Sequence, residues 1–396
     1  MRIAWICFYP ASDFRSRPSL RQCRDAFHPV PAVTGQARLL AGMPDVELHI
    51  VTAARDYSAD DHFVHDGIHF HFLRMPRVPR ALLLYQWDRR RIHRCLQEIA
   101  PQLVVGFGTE GSFAYAAVTS PYPAAVRMQG IMARIVPAAG FRSLLQNPGW
   151  VVPLLFEHVS VRRGRRFICD TRFAADFVRQ LNPTAGVYMV KTPVRSEFFA
   201  VARSPAPAAQ PELLFVSSVV PAKGIEVLLT AFSAVVAQFP GAVLTVAGAC
   251  DQRYMAVLKR LVTRLQLDGS VTFYGFQTAA DVARLMARAS LLVLPTLMDT
   301  SPNVILEAQI VGVPVITTGV GGVPELVEHG RTGILVPPGS PEELSAAILE
   351  SLRNPKAAQA LADAAQSRAL AERRPETQAA KLIDVYRTIS REARSS

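Results

Sequence analysis

The stretch Leu294-Pro-Thr-Leu-Met-Asp-Thr-Ser-Pro-Asn-Val-Ile-Leu-Glu-Ala-Gln-Ile-Val-Gly-Val-Pro-Val-Ile-Thr317 decides how this chain is read. Its apolar start is the end of a buried strand that Pro295 closes, and Ser301 followed by Pro302 reads as an N-cap and first helical position. A helix therefore starts there. Its first amides, on Asn303, Val304 and Ile305, have no carbonyl behind them and would face whatever lies at the strand ends. Such a helix start suits the anionic diphosphate of a nucleotide. Glu307 follows Asn303 by four residues on the same helix face, where one carboxylate can accept from both hydroxyls of a ribose. Asp299, in the loop before the helix, is placed to accept from hydroxyls of a sugar attached to that diphosphate.

The same grammar extends outward in both directions. Apolar runs at 213–216, 243–247, 271–274, 291–294, 315–317 and 333–336 alternate with helical segments, and so do runs at 3–8, 46–51, 68–73, 103–107, 124–128, 166–169 and 187–190. Alternation of this kind predicts mostly parallel sheets with helices on both faces. Between the two series lies Ala202-Arg-Ser-Pro-Ala-Pro-Ala-Ala-Gln-Pro211, whose Ala/Pro bias suits a semi-rigid linker. The expected fold class is α/β: two doubly wound domains, 1–200 and 212–374, facing across a cleft and joined by 201–211. A last helix within 375–396, after Pro375, is long enough to return toward the first domain.

A chain of 396 residues exceeds one typical domain, and 50% hydrophobic with 19% charged residues excludes a disordered or fibrous protein. Cys7, Cys23, Cys95, Cys169 and Cys250 are too scattered for a zinc or redox pair and too few and odd for a disulfide framework, which predicts a reducing cytoplasm. Pro10, Asp13, Arg15 and Arg17 come too early for a signal peptide. No run approaches the ~18 apolar residues of a membrane span. The net charge is 43 − 32 = +11, of which residues 1–200 hold 25 − 15 = +10 and the rest 18 − 17 = +1. With no nucleic-acid motif in view, the basic half predicts a phosphorylated substrate or an anionic membrane surface rather than nucleic acid.

The flanks of the opening stretch carry a resemblance. Asp299, seven residues, Glu307, then Ala308 and Gly312-Val-Pro-Val315 are followed by Thr318-Gly-Val-Gly-Gly-Val-Pro-Glu-Leu-Val327 and Gly330-Arg-Thr-Gly-Ile-Leu-Val336. With Phe215-Val-Ser-Ser-Val-Val-Pro-Ala-Lys-Gly224 and Tyr274-Gly-Phe276, nearly all of 212–352 resembles the retaining glycosyltransferases of family 4, the glycosyl transferases group 1 domain on the GT-B fold. The first half resembles the family's acceptor domain more loosely, through Gly108-Thr-Glu-Gly111 and Gln129-Gly-Ile131.

The resemblance implies transfer of a hexosyl group from a UDP or GDP sugar to a hydroxyl of a glycan or lipid-linked acceptor, with retention, in cell-surface polysaccharide biosynthesis. Lys223, before a helix expected to run to about Phe239, would neutralise the leaving diphosphate, as the matching lysine does in the family. Ser218 stands where the family usually has an arginine, Asp299 where glutamate is commoner, and Gln129 where many relatives carry a histidine. Gly275, Phe276, Ser301, Pro302, Asn303, Val304 and Ile305 fall on the donor side, Glu110 and Gln129 on the acceptor side. No two aspartates stand at i and i+2, so the expected enzyme needs no metal or other cofactor. A GT-B epimerase or phosphorylase, or a non-catalytic nucleotide-sugar-binding scaffold, remains the alternative.

Other features read blandly. His62, His65, His69 and His71 cluster as a metal site would, yet His69 and His71 alternate with Ile68, Phe70 and Phe72, so the polar face of a half-buried strand is the expected reading. Gly319, Gly321 and Gly322 make either a turn or a close approach to the donor. Arg162, Arg163, Arg165 and Arg166 follow the apolar 151–156, and Arg89, Arg90, Arg91 and Arg94 follow 82–87. Each cluster is either a solvated helix end with cations on its favourable C-terminal side or part of a surface for anionic lipid, with Leu154, Leu155 and Phe156 inserting.

Overall fold

The computed structural model describes residues 1–21, 23, 31–76, 84–138, 148–204 and 210–395. Two compact units divide it: Met1–Pro193 with Pro375–Ser396, and Val194–Arg374. Residues 205–209 of the Ala/Pro-rich stretch, and Leu82 and Leu83 beside the first arginine cluster, lie outside the described residues. Among the described residues no helix is long and apolar enough to cross a membrane.

The first unit runs β1 (Arg2–Ile6), α1 (Pro31–Ala41), β2 (Glu47–Ala54), β3 (Asp61–His65), β4 (Ile68–Arg74), α2 (Gln86–Ile99), β5 (Leu103–Phe107), α3 (Ser112–Val118), β6 (Ala124–Arg127), α4 (Met132–Ala138), α5 (Val151–Arg163), β7 (Arg166–Cys169), α6 (Arg172–Leu181) and β8 (Gly186–Met189). Its strands line up as β3-β4-β2-β1-β5-β6-β7-β8, parallel except for the β3–β4 hairpin. Sequence reading missed β3, because Asp-His-Phe-Val-His is too polar to register as an apolar run. A signal was nevertheless present: Asp66 and Gly67 both take positive φ, the two-residue hairpin turn that an Asp-Gly pair favours.

The second unit runs β9 (Glu212–Val216), α7 (Ile225–Gln238), β10 (Val243–Ala247), α8 (Gln252–Arg264), β11 (Val271–Gly275), α9 (Ala279–Arg288), β12 (Leu291–Leu294), α10 (Asn303–Val311), β13 (Val315–Thr318), α11 (Val323–Leu326), β14 (Ile334–Val336), α12 (Pro341–Arg353) and α13 (Pro355–Glu372). All six strands are parallel in the order β11-β10-β9-β12-β13-β14. Helices cover both faces, so the central strands are apolar throughout: Leu213, Leu214, Phe215 and Leu291–Leu294 are all buried.

The last helix, α14 (Pro375–Ser395), belongs to the first unit. Its Leu382, Ile383, Tyr386 and Ile389 recur at helical spacing and are buried with Trp5, Leu103 and Val105. Arg166 and Tyr188 bond its Glu392.

In both sheets the chain builds outward in one direction, then returns to the centre and builds the other way. The reversal lies between β1 and β5 in the first unit and between β9 and β12 in the second. At such a point the loops leaving the two strands diverge, which opens a crevice beyond their carboxyl ends.

Candidate active site

Three loops meet at the β9/β12 crevice. After β9 the chain turns through Pro221–Lys223 into Gly224, whose φ of +73° and position against Pro295 O exclude any side chain: a Cβ would stand 1.9 Å from that oxygen. Leu297 N and Thr296 Oγ1 both donate to Ala222 O, at 2.9 and 3.2 Å. The loop after β13 closes the other side, with Gly322 N donating to Asp299 O at 3.0 Å. Gly321 presses so close that a Cβ there would lie 2.0 Å from the same oxygen, so this glycine approaches the Asp299 backbone. Lys223 Nζ donates to Asp299 Oδ2 at 2.5 Å. One pair thus unites two residues that sequence reading had given separate tasks.

The start of α10 differs by one residue from the sequence reading. Pro302 has ψ of 111°, outside the helical range, so it is the N-cap, Asn303 is the first helical residue and Ser301 precedes the cap. Ile305 N donates to Pro302 O at 3.1 Å, which removes it from the expected anion donors and leaves Asn303 and Val304. The Ile305 side chain is fully buried in the core.

Glu307 is 4% exposed and is gripped by a residue that sequence reading did not single out. Arg195 donates through Nε at 3.0 Å and Nη2 at 2.7 Å, both to Oε1. Burial pushes the Glu307 carboxyl above its ordinary range while Arg195 pulls it down, and burial wins. The cation is therefore needed to keep a carboxylate in this place. With Oε1 occupied, Oε2 is the acceptor left for a ligand. Nothing near Arg195 in the sequence Pro193-Val-Arg-Ser marks it for this task.

The remaining donor-side candidates line the carboxyl ends of neighbouring strands. Ser218 follows β9. Gly275 ends the edge strand β11 with φ of +68°, and Phe276 beside it is 57% exposed, an unusual setting for a large aromatic ring.

In the first unit Glu110 and Gln129 follow the adjacent strands β5 and β6. Glu110 lies at the surface, yet its carboxylate folds back over Gly108, both oxygens within 2.8 Å of where a Cβ would be. Desolvation of that carboxylate pushes its pKa up to about 7, with the charge of Glu157 adding to the effect. Glu157 is the residue missed here. It is buried in α5 and accepts from Thr109 Oγ1 at 2.9 Å, Met132 N at 2.9 Å and Ala133 N at 2.8 Å, capping the start of α4. A lone acid in the apolar run 151–161 was its signal.

The arginine clusters need correction. Arg89, Arg90 and Arg91 sit in the first half of α2 and Arg94 just past its middle, none of them in the last turn, so the helix dipole does not favour them. Arg162 and Arg163 do occupy the last turn of α5. Arg166 belongs to β7 and pairs with Glu392. Phe156 cannot insert into lipid, because it is buried edge-on against Tyr85 and Tyr115. Val151 and Leu155, Leu84 just before α2 and Trp87 in its first turn are exposed.

Residues 198–368 match the model of the family described as "Glycosyl transferases group 1". A GDP-mannose-dependent alpha-(1-6)-phosphatidylinositol monomannoside mannosyltransferase of Mycobacterium tuberculosis is 32% identical over 45% of this chain and 48% of its own length. A putative colanic acid biosynthesis glycosyltransferase WcaL of Salmonella typhimurium is 31% identical over 37% of each chain. The chain thus spans about half the length, or less, of the curated relatives it matches. Two solved structures extend over nearly the whole molecule. Sucrose-phosphate synthase (tll1590) from Thermosynechococcus elongatus superposes with a TM-score of 0.80 at 19% identity, covering 98% of both chains. Anabaena Alr3699/HepE in complex with UDP-glucose superposes at 0.70 and 17% identity, covering 98% of this chain and 100% of that one. The fold is GT-B.

Proposed function

We propose, from the premise that residues 198–368 form a group 1 glycosyl transferase segment, that this chain moves a hexosyl group from a nucleoside diphosphate sugar to a hydroxyl of a glycan or lipid-linked acceptor. The observation that carries the reading is the Lys223–Asp299 pair held beside the start of α10, with Glu307 inside the same crevice. A UDP or GDP sugar fits these groups. The ribose hydroxyls donate to Glu307, the sugar hydroxyls donate to Asp299, and the diphosphate accepts from Asn303 N, Val304 N and Lys223. An ammonium has three N–H donors, so Lys223 can hold Asp299 and a phosphate oxygen together. Ser218 adds a hydroxyl but no charge, which leaves Lys223 as the charge on the leaving group. Gly275 leaves room for the base and Phe276 offers a face to stack it. The acceptor is assigned to Glu110 and Gln129.

In the reaction the anomeric C–O bond to phosphate breaks as a C–O bond to the acceptor forms on the same face. The departing phosphate takes the acceptor's proton, which preserves the anomeric configuration. Lys223 and the α10 amides stabilise the negative charge as it develops, so no divalent ion is required for that task. The names of the mannosyltransferase and of WcaL support a lipid-linked or polysaccharide acceptor, and the UDP-glucose complex of the Anabaena protein supports the donor class.

The location assigned to the protein is the cytoplasmic face of a membrane. Exposed Trp87 and Leu84 beside Arg90 and Arg94, and exposed Val151 and Leu155 on the helix that ends in Arg162 and Arg163, support this reading.

The deciding experiment is transfer from labelled UDP and GDP sugars to lipid-linked and glycan acceptors, with EDTA present and with the product's anomeric configuration read by NMR. Acceptor-dependent product of unchanged configuration in EDTA is expected. Product without an acceptor would indicate an epimerase, a product requiring inorganic phosphate would indicate a phosphorylase, and nucleotide binding without turnover would indicate a scaffold.

A further inference from the structure

Far from the donor crevice in sequence, one face of the first unit's sheet gathers imidazoles. Three strands supply them: His49 pairs in register with His69 across β2 and β4, and His71 pairs with His62 across β4 and β3. Glu47, two residues before His49, shares their face. One ligand atom from each of Glu47, His49 and His69 lies within 4.8 Å of the other two. The sequence reading saw only the β3 and β4 histidines, because His49 comes from a strand earlier in the chain.

We propose that Glu47, His49 and His69 bind a divalent transition metal ion, zinc by their donor set, which fastens β2 to β4. Imidazole and carboxylate donors suit zinc, copper or nickel better than calcium or magnesium. His49 Nε2 lies 3.0 Å from Glu47 Oε1, close to the ~3.3 Å between two ligands on a tetrahedral ion with bonds of about 2.0–2.1 Å. His69 stacks on His49 with ring centroids 4.5 Å apart, and its half-buried ring must turn toward Glu47 so that ligand atoms now within 4.8 Å of one another close to the tetrahedral spacing. Water takes the fourth position.

The neighbouring histidines prepare this site. His49 Nδ1 lies 3.0 Å from His71 Nε2, and His71 Nδ1 lies 2.9 Å from His62 Nδ1. When His49 Nε2 takes the metal, its proton must sit on Nδ1. His71 then accepts that proton's hydrogen bond at Nε2 and donates from Nδ1 to His62, which keeps its own proton on Nε2. Each ring keeps one proton throughout, so the relay changes tautomers without any net proton loss. A hydrogen-bonded partner on the second nitrogen is what metal-bound histidines usually have.

Arg2 is the competitor, since its Nε lies 3.0 Å from Glu47 Oε1. It can yield, because its Nη1 keeps a 3.0 Å bond to Ile99 O. Glu47 begins β2 and His69 is second in β4, so the ion sits near the amino ends of these parallel strands. The Glu110 and Gln129 loops leave the opposite ends. The ion is therefore structural, and independent of the transfer reaction proposed above.

The test uses the full chain without a histidine tag. Zinc is titrated by calorimetry, Co²⁺ by visible absorption, and melting is followed with and without zinc for the unmodified protein and for His69→Ala, His49→Gln and His65→Ala. One zinc per chain, a rise in Tm with zinc and tetrahedral Co²⁺ absorption are expected. His69→Ala should weaken zinc binding at least tenfold and abolish the rise in Tm. His65→Ala, on the opposite face of β3, should leave both unchanged. Absence of stoichiometric zinc binding, or equal affinity in His69→Ala and the unmodified chain, overturns the proposal. His69 lies outside the buried core, so the test stands even if His49→Gln fails to fold.

Discussion

The carboxyl ends of the two sheets hold their charges differently. In the second unit each acid at the crevice has a cation against it, Lys223 on Asp299 and Arg195 on Glu307. In the first unit, among the described residues, no cation bonds Glu110 or Glu157: Glu157 rests on backbone amides and a hydroxyl, and Glu110 is pushed toward neutrality. Carboxylates held against cations suit a ligand that is itself ionised. An acid held close to neutrality suits hydrogen bonding to an uncharged hydroxyl. The contrast supports the proposed assignment of an anionic donor to the second unit and a neutral acceptor to the first.

The largest effect that would break this comparison lies at Arg195. Arg195→Ala leaves a buried carboxylate without its cation, and the midpoint of urea unfolding should fall by the equivalent of about 3–5 kcal/mol. Replacing both partners, Arg195→Met with Glu307→Leu, should recover most of that stability while abolishing nucleotide binding. If Arg195→Ala unfolds like the unmodified chain, the pair is not what holds Glu307.

Next comes Lys223→Ala. Loss of a charge that acts on the leaving group should reduce turnover by about 10²-fold or more with little change in Tm. Transfer close to the unmodified rate would remove Lys223 from the chemistry and leave it only the loop contact with Asp299.

A smaller effect is expected at the surface of the first unit. Arg162→Ser with Arg163→Ser removes two cations from the end of α5, each worth ~1 kcal/mol near anionic lipid. Flotation with phosphatidylserine vesicles should drop at low salt, while Val151 and Leu155 retain some binding that salt does not screen. Equal flotation by both proteins would confine these arginines to a solvated helix end.

The mildest test is the pH dependence of Glu110. Its folded pKa of about 7 lies above the ordinary 4.5, so the folded state holds more protons than the unfolded chain between these values. Stability must then fall as pH rises from 4.5 to 7, with the full penalty present above that window. Glu110→Gln should flatten this part of the Tm profile, and an unchanged slope would show that Glu110 is charged in the folded protein.

Much of the second unit could be read in advance. The stretch from Leu294 to Thr317 carries a strand end, a helix start and Glu307 within a few turns of chain, and these features obey local rules of burial period and capping. Even the one-residue error at Pro302 was local, since ψ of 111° is open to a proline that either precedes or begins a helix. The first unit was less legible. Its β3 is a polar edge strand, and its sites are assembled from groups with no shared motif.

The sequence alone determined the alternation of strands and helices and the placing of Asp299, Ser301 and Glu307 around one helix start, whereas the two units divide between Pro193 and Val194, before the Ala/Pro-rich stretch read as the linker. The alternation and that placing rest on neighbours along the chain. Only the tertiary structure decided which charges meet, because partners are chosen by strand order and loop geometry. Lys223 finds Asp299 across 76 positions, Arg195 finds Glu307 across 112, Thr109 finds Glu157 across 48 and His49 finds His71 across 22. No periodicity within a single element encodes such distances. They follow from β9 lying beside β12, β5 beside β6 and β2 beside β4, arrangements that exist only once the sheets have formed.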